Sequence, residues 1–171
     1  MPGQIITRRR DIYVSAPNGL VQADPERDIL KAIVVERHHA TGNIGRGLAV
    51  GFGLRRGALA SSVAHDSHNI VAVGASDEDI YVAIQEVIRL HGGLIVAAGG
   101  RILGTLPLPV AGLLSLEPLE KVVDQLEMLE SLARGLGCSL ASPFSTLSFL
   151  ALPVNPELRL TFLKQSLRAV A

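Results

Sequence analysis

His65-Asp66-Ser67-His68-Asn69 places imidazole, carboxylate, hydroxyl and amide side chains on adjacent positions, directly after the apolar run Leu59 to Ala64. Buried without partners, each such group would cost about 1–3 kcal/mol, so the cluster belongs where a strand ends and its loop is presented to solvent or to a ligand. A hydrogen-bonded turn carrying surface histidines would use the same residues, and spacing alone leaves both readings open. Imidazole and carboxylate suit zinc, manganese or iron. On an extended segment, however, His65 and His68 point to opposite faces, and further ligands would have to come from elsewhere, so no metal is assigned to them. A nucleophilic triad built on Ser67 is disfavoured too, because neighbouring residues rarely meet in that geometry and no nucleophile elbow is present. The second polar cluster, Glu36-Arg37-His38-His39, reads as an ion pair at a strand end. His91 reads as a helix C-terminal residue, favourable for a cation near the negative end of the helix dipole.

The elements that must position these residues follow from periodicity and punctuation. Ile12-Tyr13-Val14 and Leu20-Val21 flank Pro17-Asn18-Gly19, which predicts an opening β-hairpin. Asp24 to Asp28 breaks the chain, and strands are expected over Ile29 to Arg37, Gly47 to Phe52, Leu59 to Ala64 and Ile70 to Gly74. Ser76 with Asp79 forms a capping box. The helix it opens carries Ile80, Ala83, Ile84, Val87, Ile88 and His91 on one stripe and ends at Gly92-Gly93. Gly99-Gly100 joins Leu94 to Ala98 and Arg101 to Leu106 as a hairpin. A second helix starts at Pro118, buries Leu119, Val122, Val123, Leu126, Leu129, Ala133 and Leu136, and ends at Gly135 or Gly137. Glu117, Glu120, Lys121, Asp124, Glu127 and Glu130 form its wet face. A short helix or turn over Phe144 to Leu152 is ended by Pro153 and Pro156. The fold class is therefore α+β: mixed, largely antiparallel β-sheet layers built from hairpins and packed with two main helices.

Composition bounds the rest. A length of 171 residues fits one domain, spanning 1–171. Lys and Arg total 16 against 16 for Asp and Glu, so no net field attracts a polyanion, and nucleic acid is not expected as a partner. Arg8-Arg9-Arg10 and Arg55-Arg56 read as solvated surface. With 48% hydrophobic residues and a mean hydropathy of +0.36, some apolar surface should be covered by another subunit or domain, so a homo-oligomer is expected. Cys138, the single cysteine, can form no internal disulfide and reads as a small core hydrophobe. Met1 to Thr7 shows no signal-peptide pattern, and no apolar run approaches the ~20 residues of a membrane span, so no membrane partner and a cytoplasmic location are expected. Gly42, Gly45, Gly47, Gly51, Gly53 and Gly57 lack the Gly-Lys-Ser/Thr ending of a phosphate loop, and serve turns and close strand approaches instead.

Longer strings carry a resemblance. Gly51-Phe52-Gly53-Leu54-Arg55-Arg56-Gly57, His65 to Ile70, Ser76-Asp77-Glu78-Asp79, Leu106-Pro107-Leu108-Pro109-Val110-Ala111-Gly112-Leu113 and Pro143-Phe144 through Leu147 to Val154 together resemble the C-terminal domain of adenine deaminases. The similarity runs in unbroken order from about Gly3 to Thr161. Departures are Leu114 and Ser145, where the pattern has methionine, Asn155, where it has an apolar residue, and the tail after Thr161. The resemblance implies a hydrolase of purine metabolism that converts adenine and water to hypoxanthine and ammonia. In that family a metal-dependent amidohydrolase barrel precedes this domain and holds a binuclear centre with a His-x-His pair and a catalytic aspartate. No His-x-His occurs here, and a (β/α)₈ barrel takes roughly 250 residues. The resemblance thus implies a domain or subunit that has no catalytic residues and binds no cofactor itself. Manganese or iron is expected on the barrel. Through the family, His65, Asp66, Ser67, His68 and Asn69 are expected to line the purine substrate site, and the chain is expected to form an oligomer or interdomain interface. The alternative is a stand-alone, non-catalytic module binding a purine or another small ligand.

Overall fold

The computed structural model describes residues 10–152 and 160–161. Short, largely apolar runs build six strands: β1 (Ile29–Val35), β2 (Ile44–Val50), β3 (Ala58–Ser61), β4 (Ile70–Gly74), β5 (Gly93–Ala98) and β6 (Arg101–Pro107). They form one sheet of order β2-β1-β4-β3-β5-β6, antiparallel throughout. Strand pairs β1–β2, β3–β4 and β5–β6 are successive in sequence and adjacent in the sheet, so the α+β class and its construction from hairpins hold. The expected layers are a single sheet.

Both faces are covered, which explains why β3 and β4 are apolar at nearly every position instead of alternating. Ala58, Ala60, Ala72 and Ala97 present a small-residue face to the helix α1 (Asp77–Arg89), whose Ile80, Ala83, Ile84 and Val87 pack on it. Leu59, Val71, Val73, Leu94 and Val96 supply the other face. The helices α2 (Leu119–Gly135), through Leu129 and Ala133, and α3 (Pro143–Leu150), through Phe144 and Leu147, close it. Cys138 is buried there, as its small apolar character suggested.

Local signals place the boundaries. Ser76 Oγ accepts from Asp79 N at 3.2 Å and opens α1. The Asp79 carboxylate takes the Ser76 hydroxyl at 2.8 Å and Gly100 N–H at 2.9 Å, so it ties α1 to the β5–β6 hairpin and does not close a capping box. Gly99 (φ 62) and Gly100 (φ 69) make that hairpin turn, both with the positive φ it requires. Gly137 (φ 105) terminates α2.

Several expectations are corrected. Residues 12–21 form no hairpin: Pro17–Gly19 is a 3-10 turn, Tyr13 is 92% and Leu20 67% exposed, and a two-stranded ribbon without an apolar face to bury is not stable. The second strand lies three residues earlier than expected at its start, at Ile44, and the third ends at Ser61. His91 (φ 58) takes the left-handed position after α1 and Gly93 already belongs to β5, so the helix is closed by histidine, not by the glycine pair. Leu119 and Val123, in the first half of the α2 stripe, are exposed, and the helix buries Leu129 and Ala133 instead. Arg8, Arg9, Pro153, Val154, Asn155 and Pro156 lie outside the described residues. No described helix is long and apolar enough to cross a membrane.

Candidate functional site

Antiparallel register gathers the chemistry-bearing loops. Val35 pairs with both Ile44 and Ile70, Ser61 with Leu94, and Gly93 with Pro107. One end of the sheet therefore carries the β1–β2 loop (36–43), the β3–β4 loop (62–69), the turn after α1 (90–92) and the segment after β6 (108–118). Both polar clusters of the sequence lie on this end.

The 65–69 loop is tightly held through its main chain. His65 N donates to Ser148 O at 3.1 Å, His68 N to Ala64 O at 2.7 Å, and Ser67 N to His65 O at 2.8 Å. His38 Nε2 donates to Ser67 O at 2.8 Å. Asp66 (φ 63) and His68 (φ 45) both adopt left-handed backbone, a conformation that Asp and His tolerate better than most residues and that still costs roughly 1–3 kcal/mol each. Outward, His65 and Asp66 are exposed, with His65 Nδ1 3.6 Å from Asp66 Oδ1 and the imidazole stacked on Phe149 at 4.8 Å between ring centroids. Ser67 and His68 are half-buried, and Ser67 Oγ and His68 Nδ1 are buried atoms with no hydrogen-bond partner among the described residues.

Asn69 departs from the expectation of a solvent-reachable loop. It is 2% exposed, and its Oδ1 accepts from Arg37 N at 3.3 Å, so it anchors the loop from below. The exposed face of the cluster is narrowed to His65 and Asp66.

Glu36 and Arg37 make no ion pair with each other. The Glu36 carboxylate, itself buried, accepts from Thr41 N at 3.1 Å, Thr41 Oγ1 at 3.0 Å, His39 N at 2.8 Å and His38 N, which folds the β1–β2 loop around it. Thr41 N–H leads the donors that lower its pKa to about 2, against the opposing effect of burial. A depressed carboxylate stabilises the fold fully above its unfolded value, near 4.5, and that contribution is lost as pH falls toward 2. Glu36→Gln should therefore melt below the parent at neutral pH, and the gap between the two should narrow steadily as pH drops from about 4.5 to 2. Thermal melts across that window check it; a constant gap would mean that Glu36 is not ionised in the fold.

Arg37 instead reaches across the sheet end. Its Nε donates to His68 O and its Nη2 to Ala111 O at 2.6 Å, and burial lowers its pKa while leaving it a charged donor. The next connection is made by Ser62, whose Oγ donates to Gly112 O at 2.6 Å and accepts from Gly93 N at 2.8 Å. Sequence reasoning missed Arg37 and Ser62 in these roles. Their partners are main-chain atoms, which carry no residue identity, so only the three-dimensional register reveals them.

Among the described residues no three His, Cys, Asp or Glu side chains stand close enough to hold a metal ion. His65 and His68 do not converge with a third donor.

Comparison with known proteins adds the family context. The model of the adenine deaminase C-terminal domain matches residues 4–163. Proteins named adenine deaminase are similar: that of Dehalococcoides mccartyi is 60% identical over 161 residues, covering 94% of this chain and 28% of the relative. Those of Desulfatibacillum aliphaticivorans and Clostridium botulinum are 53% and 44% identical, again over 94% of this chain, and 28% and 27% of their own lengths are covered. The chain thus spans little more than a quarter of these relatives.

Proposed function

Because this chain belongs to the adenine deaminase C-terminal domain family, we propose that it acts as a domain or subunit of a cytoplasmic adenine deaminase and presents the 65–69 loop to the purine site. Adenine carries ring nitrogens that accept hydrogen bonds and N–H groups that donate them. The Asp66 carboxylate can accept from such an N–H, and the His65 imidazole can do either. The observation that carries this reading is the loop's conformation: two left-handed non-glycine residues, Asp66 and His68, flanking Ser67, with two unmatched buried polar atoms, all fixed by main-chain tethers. Strain that the surrounding structure over-determines is characteristic of ligand-facing segments.

The hydrolytic chemistry belongs to the amidohydrolase barrel, where manganese or iron supplies it; this chain's residues fit a role of holding and enclosing substrate. The barrel is the partner that the loop end faces. Val110, Leu114, Leu116, Leu119 and Val123, exposed along one continuous stretch beside the loops, offer apolar surface to that barrel or to a second copy. Sedimentation of the chain as a monomer at micromolar concentration would remove the second copy from this account.

The test is kinetic, in the barrel-containing polypeptide. His65→Ala and Asp66→Asn should each lower kcat/KM for adenine roughly tenfold, the worth of one charge-assisted hydrogen bond. Melting temperature should stay within about a degree, since both side chains are exposed. The 171-residue chain alone should release no ammonia from adenine with manganese or iron(II) added. Unchanged kinetics in both variants, or deamination by the chain alone, would contradict the proposal.

A further inference from the structure

We propose that Arg37 is the positioning residue of this site, a guanidinium clamp that sets the 65–69 loop and the segment around Ala111 at a fixed separation. The inference rests on the reading of the 65–69 loop as substrate-facing. It starts from three contacts of one residue: Arg37 N with Asn69 Oδ1 at 3.3 Å, Nε with His68 O, and Nη2 with Ala111 O at 2.6 Å. The planar fork of arginine can address two carbonyls at once in a set orientation, which the single ammonium of lysine cannot reproduce.

The far side of the fork is equally constrained. A Cβ on Gly112 would lie 2.7 Å from Arg37 Nη2 and 2.9 Å from Cζ, so the guanidinium lies close against the Gly112 main chain and has no room to shift toward it. Gly112 O is in turn fixed by the Ser62 hydroxyl. Arg37 is thus held on one side by a backbone that cannot yield and holds, on the other, the carbonyl of the left-handed residue His68. Without the clamp, no other described residue bonds His68 O, and the strained conformation at positions 66 and 68 loses one of its tethers. A displacement of about 1 Å in a substrate-positioning segment can lower turnover efficiency as much as a hundredfold.

The experiment compares Arg37→Lys and Arg37→Ala with His65→Ala in the barrel-containing polypeptide, reading amide hydrogen exchange and adenine kinetics together. Both Arg37 variants should speed exchange at residues 65–69 and 110–113 while α1 and β5 keep their protection. KM for adenine should rise about tenfold or more, with kcat altered much less, because the loop binds and does not react. His65→Ala should raise KM with exchange at 110–113 unchanged. Arg37→Lys retains charge and stem, so it keeps the test valid if Arg37→Ala does not fold. Unaltered exchange in the lysine variant overturns the clamp. Faster exchange with unaltered KM, while His65→Ala impairs binding, overturns positioning and leaves the site reading standing. Faster exchange with no kinetic effect from any variant overturns the site reading and, with it, the positioning role of Arg37.

Discussion

Gly92→Ala is expected to destabilise the fold by more than about 3 kcal/mol, the largest effect of any single methyl addition at this end of the sheet. Gly92 has φ +132, where a side chain is strained whatever the space, and its Cβ would stand 2.3 Å from Gly112 Cα and 2.8 Å from Leu108 O. The obstruction is backbone, not the tip of a flexible side chain, so relief requires moving the whole 108–113 segment. Moving it would break the Ser62 and Arg37 contacts to Gly112 and Ala111. Urea unfolding of the variant against the parent measures the loss. A difference under about 1 kcal/mol would mean that the segment is looser than its contacts imply.

Ser62→Ala should cost about 2–4 kcal/mol, although it removes one oxygen atom. Ser62 is fully buried, and its hydroxyl satisfies two main-chain groups, Gly112 O at 2.6 Å and Gly93 N at 2.8 Å. Alanine leaves both unmatched, and the desolvation of each stays unrepaid. Ser62→Cys, nearly isosteric but a weak donor and acceptor, should fall between the two. The same denaturation experiment ranks the three. Equal stability of parent and alanine variant would show that another group or solvent reaches those main-chain atoms.

These two positions also mark where the sequence stops being informative. The Ser76 cap, the Gly99-Gly100 hairpin and the buried runs at β1 and β4 are written in local residue types, and each stands within two residues of its expected place, β1 closing at Val35 instead of Arg37. The α1 stripe is legible through Ile80, Ala83, Ile84 and Val87, which are buried, whereas Ile88 and His91, expected on the same stripe, are exposed. The opening hairpin failed because Pro-Asn-Gly fits a 3-10 turn as well as a hairpin, and only a sheet to pair with would have decided between them. At the candidate site, the sequence could flag a density of polar side chains at 65–69. It could not separate His65 and Asp66, which face outward, from Asn69, which is buried beneath them, because that division depends on the β1 neighbour Arg37. By charge alone Glu36 and Arg37 read as a complementary pair. The structure spends the carboxylate on four donors of its own loop and the guanidinium on carbonyls over thirty residues away.

On this reading the 65–69 loop faces bound purine in the larger enzyme. Amide hydrogen exchange of the barrel-containing polypeptide, with and without saturating hypoxanthine, addresses it directly. Bound purine should slow exchange at residues 65–69 and leave the Gly99-Gly100 turn, at the opposite end of the sheet, unchanged. Protection that appears only in the barrel, with the 65–69 amides exchanging at the same rate in both states, would contradict the account.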